Sequence, residues 1–134
     1  MAFVIDNSLS VAWCVATQAT AYSRRLLVRA EREAVHAPAV WPFEFVNALW
    51  ALERRRSSLG AHQVDGAIGR VERLGIIVHG EPVSLRALLD LSRPLRLAVY
   101  DVAYLELARR LGLPLASLDT QQLVAARSAG IATL

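Results

Sequence analysis

The chain has 134 residues, enough for one domain with a substantial core and too few for two. Fifteen basic residues stand against twelve acidic ones, a formal charge of +3, and every basic residue is arginine. The lone Cys14 excludes an internal disulfide and a cysteine-based metal site and fits a reducing cytoplasm, and no run reaches the roughly 18 apolar residues of a membrane span.

Ala2 to Ile5 reads as a short buried strand, and Asp6-Asn7-Ser8 as a turn and helix cap. A short helix follows through Trp13 and Val15. Thr20 to Ala34 is a stronger helix, with Leu26, Leu27 and Ala30 on one side and arginines on others. Val35 to Pro38 is a brief strand closed by proline. Trp41-Pro42 opens the next helix, since proline suits a first helical turn; it runs through Phe45, Leu49 and Leu52, frays in Arg54 to Ser58 and stops at Gly60.

Ala61 to Leu74 is a helix weakened by Gly66 and Gly69, and Gly75 releases the chain into the strand Ile76 to His79. Pro82 or Val83 begins a helix ending near Leu91, with Ser92-Arg93-Pro94 as a turn. Ala98 to Leu111 is a helix closed by Gly112. Leu115 to Leu118 is the fourth strand, Thr120 to Ser128 the last helix, and Ile131 to Thr133 a short terminal strand. Strands alternating with helices predict a parallel α/β sheet.

Four acids stand where such a fold gathers them: Asp6, Glu44, Asp101 and Asp119. Asp6 and Asp119 end apolar runs, and the carboxyl ends of parallel strands line the ligand crevice. Each also suits a helix N-cap. Glu44 lies among Phe43, Phe45 and Val46, with Asn47, Ala48 and Ala51 on its own face; it is either a crevice acid or an exposed first-turn glutamate. Asp101 shares a face with Leu105 and Ala108, with Glu106 and Arg109 read as the solvated side; it is a crevice acid or the cap of a helix beginning one turn later. Gathered carboxylates repel, by on the order of 3 kcal/mol per pair at about 5 Å and an effective dielectric near 20. A divalent cation relieves that repulsion, so the acids suggest a Mg²⁺ or Mn²⁺ site and phosphoryl-transfer chemistry.

The other signals are weaker. His36, His62 and His79 have no zinc-ligand spacing. The stretch before Ala19-Thr20-Ala21 lacks a basic leader and is interrupted by Asp6, so it is not read as a signal peptide. Arg54-Arg55-Arg56 is a phosphate contact or a solvated helix end. The apolar fraction of 54% exceeds what a small monomer needs; a covered parallel sheet or a protein–protein surface accounts for it, the latter with Trp13, Trp41, Phe43, Phe45 and Trp50 as its aromatic set.

The pieces Phe3-Val4-Ile5-Asp6-Asn7-Ser8, Pro38 to Leu49, Tyr100-Asp101-Val102-Ala103-Tyr104-Leu105-Glu106-Leu107-Ala108 and Leu115-Ala116-Ser117-Leu118-Asp119 together resemble the PIN-domain family, specifically the VapC-type ribonuclease toxins of type II toxin–antitoxin pairs. The resemblance spans essentially the whole chain. It implies an α/β fold, a three-layer α/β/α sandwich with a central, mainly parallel, short-stranded sheet. It implies that Asp6, Glu44, Asp101 and Asp119 hold one or two Mg²⁺ or Mn²⁺ ions, with Ser8 and Asn47 as secondary polar neighbours. It further implies an RNA substrate, a homodimer, inhibition by a cognate antitoxin and contact with operator DNA only through that antitoxin. Thr120-Gln121-Gln122 departs from relatives that carry another acid or a basic residue after the last aspartate, which implies a second metal held weakly or only with substrate. The competing readings are an inactive PIN-fold binding module and a receiver-like signalling domain, the latter short of the lysine that receivers need.

Overall fold

The computed structural model describes residues 1–55 and 59–134; Arg56, Ser57 and Ser58, part of the expected fraying helix end and of the arginine run, lie outside the described residues. The strands are β1 (Phe3–Ile5), β2 (Val35–Pro38), β3 (Ile77–His79) and β4 (Leu115–Ala116). They form one all-parallel sheet in the order β3-β2-β1-β4. The helices are α1 (Asn7–Ala12), α2 (Ala21–Ala30), α3 (Trp41–Arg54), α4 (Ala61–Arg73), α5 (Leu85–Leu95), α6 (Val99–Leu111) and α7 (Thr120–Ser128), with a single 3-10 turn at Ala16–Gln18. They flank the sheet as a three-layer α/β sandwich. The order differs from the 2-1-3-4-5 order of receiver-type sheets, which removes that reading.

The register pairs Val4 with His36 on one side and with Leu115 on the other. Phe3, Val4 and Ile5 are fully buried, as a central parallel strand covered on both faces requires. Around them pack Leu9, Leu26, Leu49, Leu105, Leu107 and Leu115. Trp41 stacks on Phe45 inside this core, and its indole N–H donates to Ser10 Oγ at 3.0 Å. The expected aromatic set therefore splits: Trp41 and Phe45 are buried and Trp13 half-buried, while Phe43 and Trp50 are exposed.

Several boundaries follow local chemistry. Thr20 and Ser23 form a reciprocal capping box, so α2 starts where the sequence indicates; it stops at Ala30, short of the expected Ala34. Helix α5 begins at Leu85 behind the Ser84 cap and passes through the expected Ser92-Arg93-Pro94 turn to Leu95. It stops at Arg96, whose φ of 53° is left-handed. Glu106, expected on the solvated side of α6, is buried; Arg110 one turn on neutralises it, Nε donating to Oε1 at 2.7 Å. The same arginine donates to Glu81, which bonds His79 Nδ1, whose Nε2 meets His36 Nδ1 at 2.9 Å. That chain ties the β3 edge to α6. The expected terminal strand reduces to one parallel bridge between Leu115 and Thr133.

Candidate active site

The sheet order makes β1 and β4 neighbours whose connections leave in opposite directions. Such a switch point opens a crevice at the carboxyl ends of the strands. Asp6 follows β1 directly, and its backbone N–H donates to Ala116 O of β4 at 3.2 Å. Its side chain is buried and caps α1, Oδ1 accepting from Leu9 N at 3.1 Å and from Ser8 Oγ at 2.7 Å. Ser117 Oγ donates to Oδ2. Burial drives the Asp6 carboxyl upward; the two serines and Leu9 N–H pull it back, and the Asp119 charge adds to the rise.

The two hydroxyls also hold the loop after β4. Leu118 N–H donates to Ser8 Oγ at 3.0 Å and Asp119 N–H to Ser117 Oγ at 2.9 Å. Ser8 thus links Asp6 to the loop after β4. Ser117 was not singled out from sequence, although it is the one polar side chain in the run Leu113 to Leu118.

Asp119 is the cap of α7, its Oδ1 accepting from Gln121 N at 2.9 Å and Gln122 N at 3.4 Å. Gln122 is buried, and its Nε2 donates to the backbone carbonyl of Asp101 at 2.8 Å, joining the first turns of α6 and α7. Asp101 lies inside the first turn of α6, whose cap position is Ala98, so the cap reading fails for it. Burial, and then the Asp119 charge, raise its carboxyl above the usual range.

Glu44 sits in the first turn of α3, half-buried, and its Oε1 accepts from Tyr104 Oη at 2.5 Å. Tyr104 lies one turn after Asp101 on α6 and is 2% exposed. Its phenol is pushed far above the ordinary value by burial, by the bond to Glu44, and by the charges of Glu44, Asp6 and Asp101. It is a donor bonded to Glu44, and sequence spacing of three from Asp101 was its only signal. Asn47 is exposed and makes no side-chain hydrogen bond among the described residues, so it takes no part in this network.

Asp119 adds its charge to both Asp6 and Asp101, and Glu44 is bonded to Tyr104, one turn after Asp101 on α6. Among the described residues, no three His, Cys, Asp or Glu groups stand close enough to hold one ion. The donor set still suits a hard cation: all the donors are oxygens. Both oxygens of Asp101, Oε2 of Glu44 and Oδ2 of Asp119 accept no hydrogen bond among the described residues. Asn7 Oδ1, beside Asp6, is buried with no donor at all among them.

No protein-family model and no curated protein matches the sequence. Solved structures do. The chain is similar to the crystal structure of PAE2754 from Pyrobaculum aerophilum, with a TM-score of 0.69 and 22% identity over 93% of this chain and 79% of that one. It is similar also to FitAcB from Neisseria gonorrhoeae, with a TM-score of 0.59 and 17% identity over 100% of this chain and 96% of that one. At these identities the likeness is one of fold, and the fold is that of PIN-domain proteins.

Proposed function

We propose that the chain is a Mg²⁺- or Mn²⁺-dependent endoribonuclease acting as the toxin of a bacterial type II toxin–antitoxin pair. The observation that carries this reading is the placement of Asp6 and Asp119 after the neighbouring strands β1 and β4 of a PIN fold, with Gln122 tying the Asp101 turn to the Asp119 turn. Asp6, Glu44, Asp101 and Asp119 would hold the ion. When bound, a divalent ion supplies Lewis acidity toward a phosphoryl oxygen and an attacking water, giving hydrolysis of the phosphodiester. Ser8 and Ser117 fix the rotamer of Asp6, and Tyr104 fixes that of Glu44. Without a cation, the capping N–H groups and hydroxyls keep the cluster tolerable.

The partner side of the proposal rests on exposed apolar surface. Phe43, Val46 and Trp50 recur at helical spacing on α3, and Leu85, Leu89, Val99 and Tyr100 add to the exposed set. These suit a homodimer and an antitoxin segment. One fold neighbour, FitAcB, contains FitB, a PIN-domain toxin of a toxin–antitoxin pair. No described helix is long and apolar enough to cross a membrane.

The test uses protein freed of any antitoxin, a panel including tRNA and ribosomal RNA, and Mg²⁺ or Mn²⁺ against EDTA. Cleavage should stop with EDTA. Asp119→Asn and Glu44→Gln should each lose most activity while keeping their circular dichroism. A panel left intact would favour the inactive binding module, in which Asp6 and Asp119 serve only as caps.

A further inference from the structure

A groove of about 450 Å³ runs between the α5–α6 turn and the length of α7, from Thr120 to Ser128. Its walls include Arg96, Leu97, Thr120, Gln121 and Val124. None of the four acids lines it, but its walls continue into the turns that carry Asp101 and Asp119. Asp101 lies five residues after Arg96, Asp119 directly precedes Thr120, and the Gln122–Asp101 bond holds the two first turns together.

Arg96 is the unusual member. It is the only non-glycine residue at positive φ among the described residues. It is exposed and, like most arginines here, forms no ion pair among them. A left-handed conformation is one that an arginine adopts against its own Cβ, and glycine or asparagine suits it better. The side chain there is an exposed guanidinium on a groove whose walls continue into the turns of Asp101 and Asp119. Thr120 and Gln121 add a hydroxyl and an amide with no side-chain bond among the described residues, and exposed Val124 adds an apolar wall.

We infer that this groove is the subsite for the nucleotide next to the bond that is cut, with Arg96 taking its phosphate. This rests on the nuclease reading above for the chemistry, and on the groove alone for the binding. A polyanion approaching an acid cluster needs a compensating cation beside it, and guanidinium forks match phosphate oxygens bidentately. Thr120 and Gln121 can donate to the same phosphate or to the ribose, and Leu97 and Val124 can lean on the base.

The experiment measures binding of a short, labelled single-stranded RNA by fluorescence anisotropy in EDTA, over a salt series, with wild type, Arg96→Gly and Arg96→Lys. Glycine accepts the φ of 53°, so Arg96→Gly removes the charge without straining the turn, and circular dichroism should be unchanged. Wild type should bind, and Arg96→Gly should bind roughly five- to tenfold more weakly, with a log–log salt slope shallower by about 0.7, one phosphate's worth on a single strand. Arg96→Lys should keep most of the slope. Wild-type slope and affinity in Arg96→Gly, or no RNA binding by wild type, would overturn the subsite. Binding that depends on Arg96 in a protein that cleaves nothing with Mg²⁺ or Mn²⁺ would leave the groove standing as a nucleotide-binding site and remove the nuclease reading. Cleavage with no Arg96 dependence of binding would do the reverse.

Discussion

Replacing Tyr104 by phenylalanine removes one hydroxyl and nothing else. The ring is 2% exposed, so phenylalanine fills the same space and no large cavity term enters. What is lost is a 2.5 Å bond to a carboxylate. Bonds to charged groups contribute about 1.5–3 kcal/mol, and Glu44 is only half-buried, so water can replace part of the loss. The expected destabilisation is about 1.5–2 kcal/mol, a large share of the roughly 5–15 kcal/mol that holds a domain folded. Urea unfolding should show a lower midpoint at unchanged slope. The cycle Tyr104→Phe, Glu44→Ala and the double variant isolates the pair, and its coupling should be at least about 1 kcal/mol. A coupling below about 0.5 kcal/mol, within the scatter expected of independent sites, would refute Tyr104 as the residue that holds Glu44. Calorimetry of the same variants with Mn²⁺ then asks whether the rotamer matters: weaker binding by Tyr104→Phe is expected if Glu44 is a ligand.

Three further expectations concern charge. Asp101→Asn should be at least as stable as wild type at neutral pH in EDTA while losing Mn²⁺ binding; equal binding in both would sink the metal site. The sign follows from a carboxyl raised in the fold, whose ionisation lowers stability as pH climbs through the ordinary value of 3.8. His36 is lowered by burial and by His79, so its contribution is complete above the ordinary value of 6.5 and is lost as pH falls through the lower folded value. The thermal midpoint should therefore drop between about pH 7 and pH 5, and His36→Gln should flatten that drop. An equally steep drop in the variant would assign it elsewhere. Burial pushes the Cys14 thiol up to about 11, against the pull of Arg70. Alkylation by iodoacetamide at pH 8 should be roughly a hundredfold slower in native than in urea-unfolded protein, because thiolate is the reactive form. Equal rates would contradict the burial.

The strand ends were legible because a short apolar run closed by aspartate carries both a burial signal and a capping signal. Asp6 and Asp119 end their runs, and both are helix caps. What stayed hidden depended on partners distant in sequence. Ser117 meets Asp6 across 111 residues and Tyr104 meets Glu44 across 60, and no local period encodes either. Glu106 was misplaced for a different reason. The charge was taken as a mark of solvent, yet Arg110 four residues on offered the compensation that lets a carboxylate be buried. Pro94 misled in the same way: taken as a stop, it lies in the last turn of α5, where the helix tolerates it and Arg96 makes the actual break.

The overlap of cap and cluster also sets what any cation must overcome. Four acids left to face one another would repel by on the order of 3 kcal/mol for each pair at about 5 Å. Here the helix N-termini of α1 and α7 each offset part of that, since an N-cap contributes about 0.5–2 kcal/mol. Serines offset more at Asp6, and Tyr104 does so at Glu44. Asp101 alone has no donor to its carboxylate among the described residues, and its carboxyl is raised by burial and by Asp119. It is therefore the acid with most to gain from a cation. The other three must share oxygens already engaged or turn a free one toward the centre. On the proposed metal site, the residue whose loss should weaken Mn²⁺ binding most is therefore Asp101, ahead of the two capping aspartates. A ranking with Asp6→Asn or Asp119→Asn far above Asp101→Asn would show that the capping oxygens are the principal ligands instead.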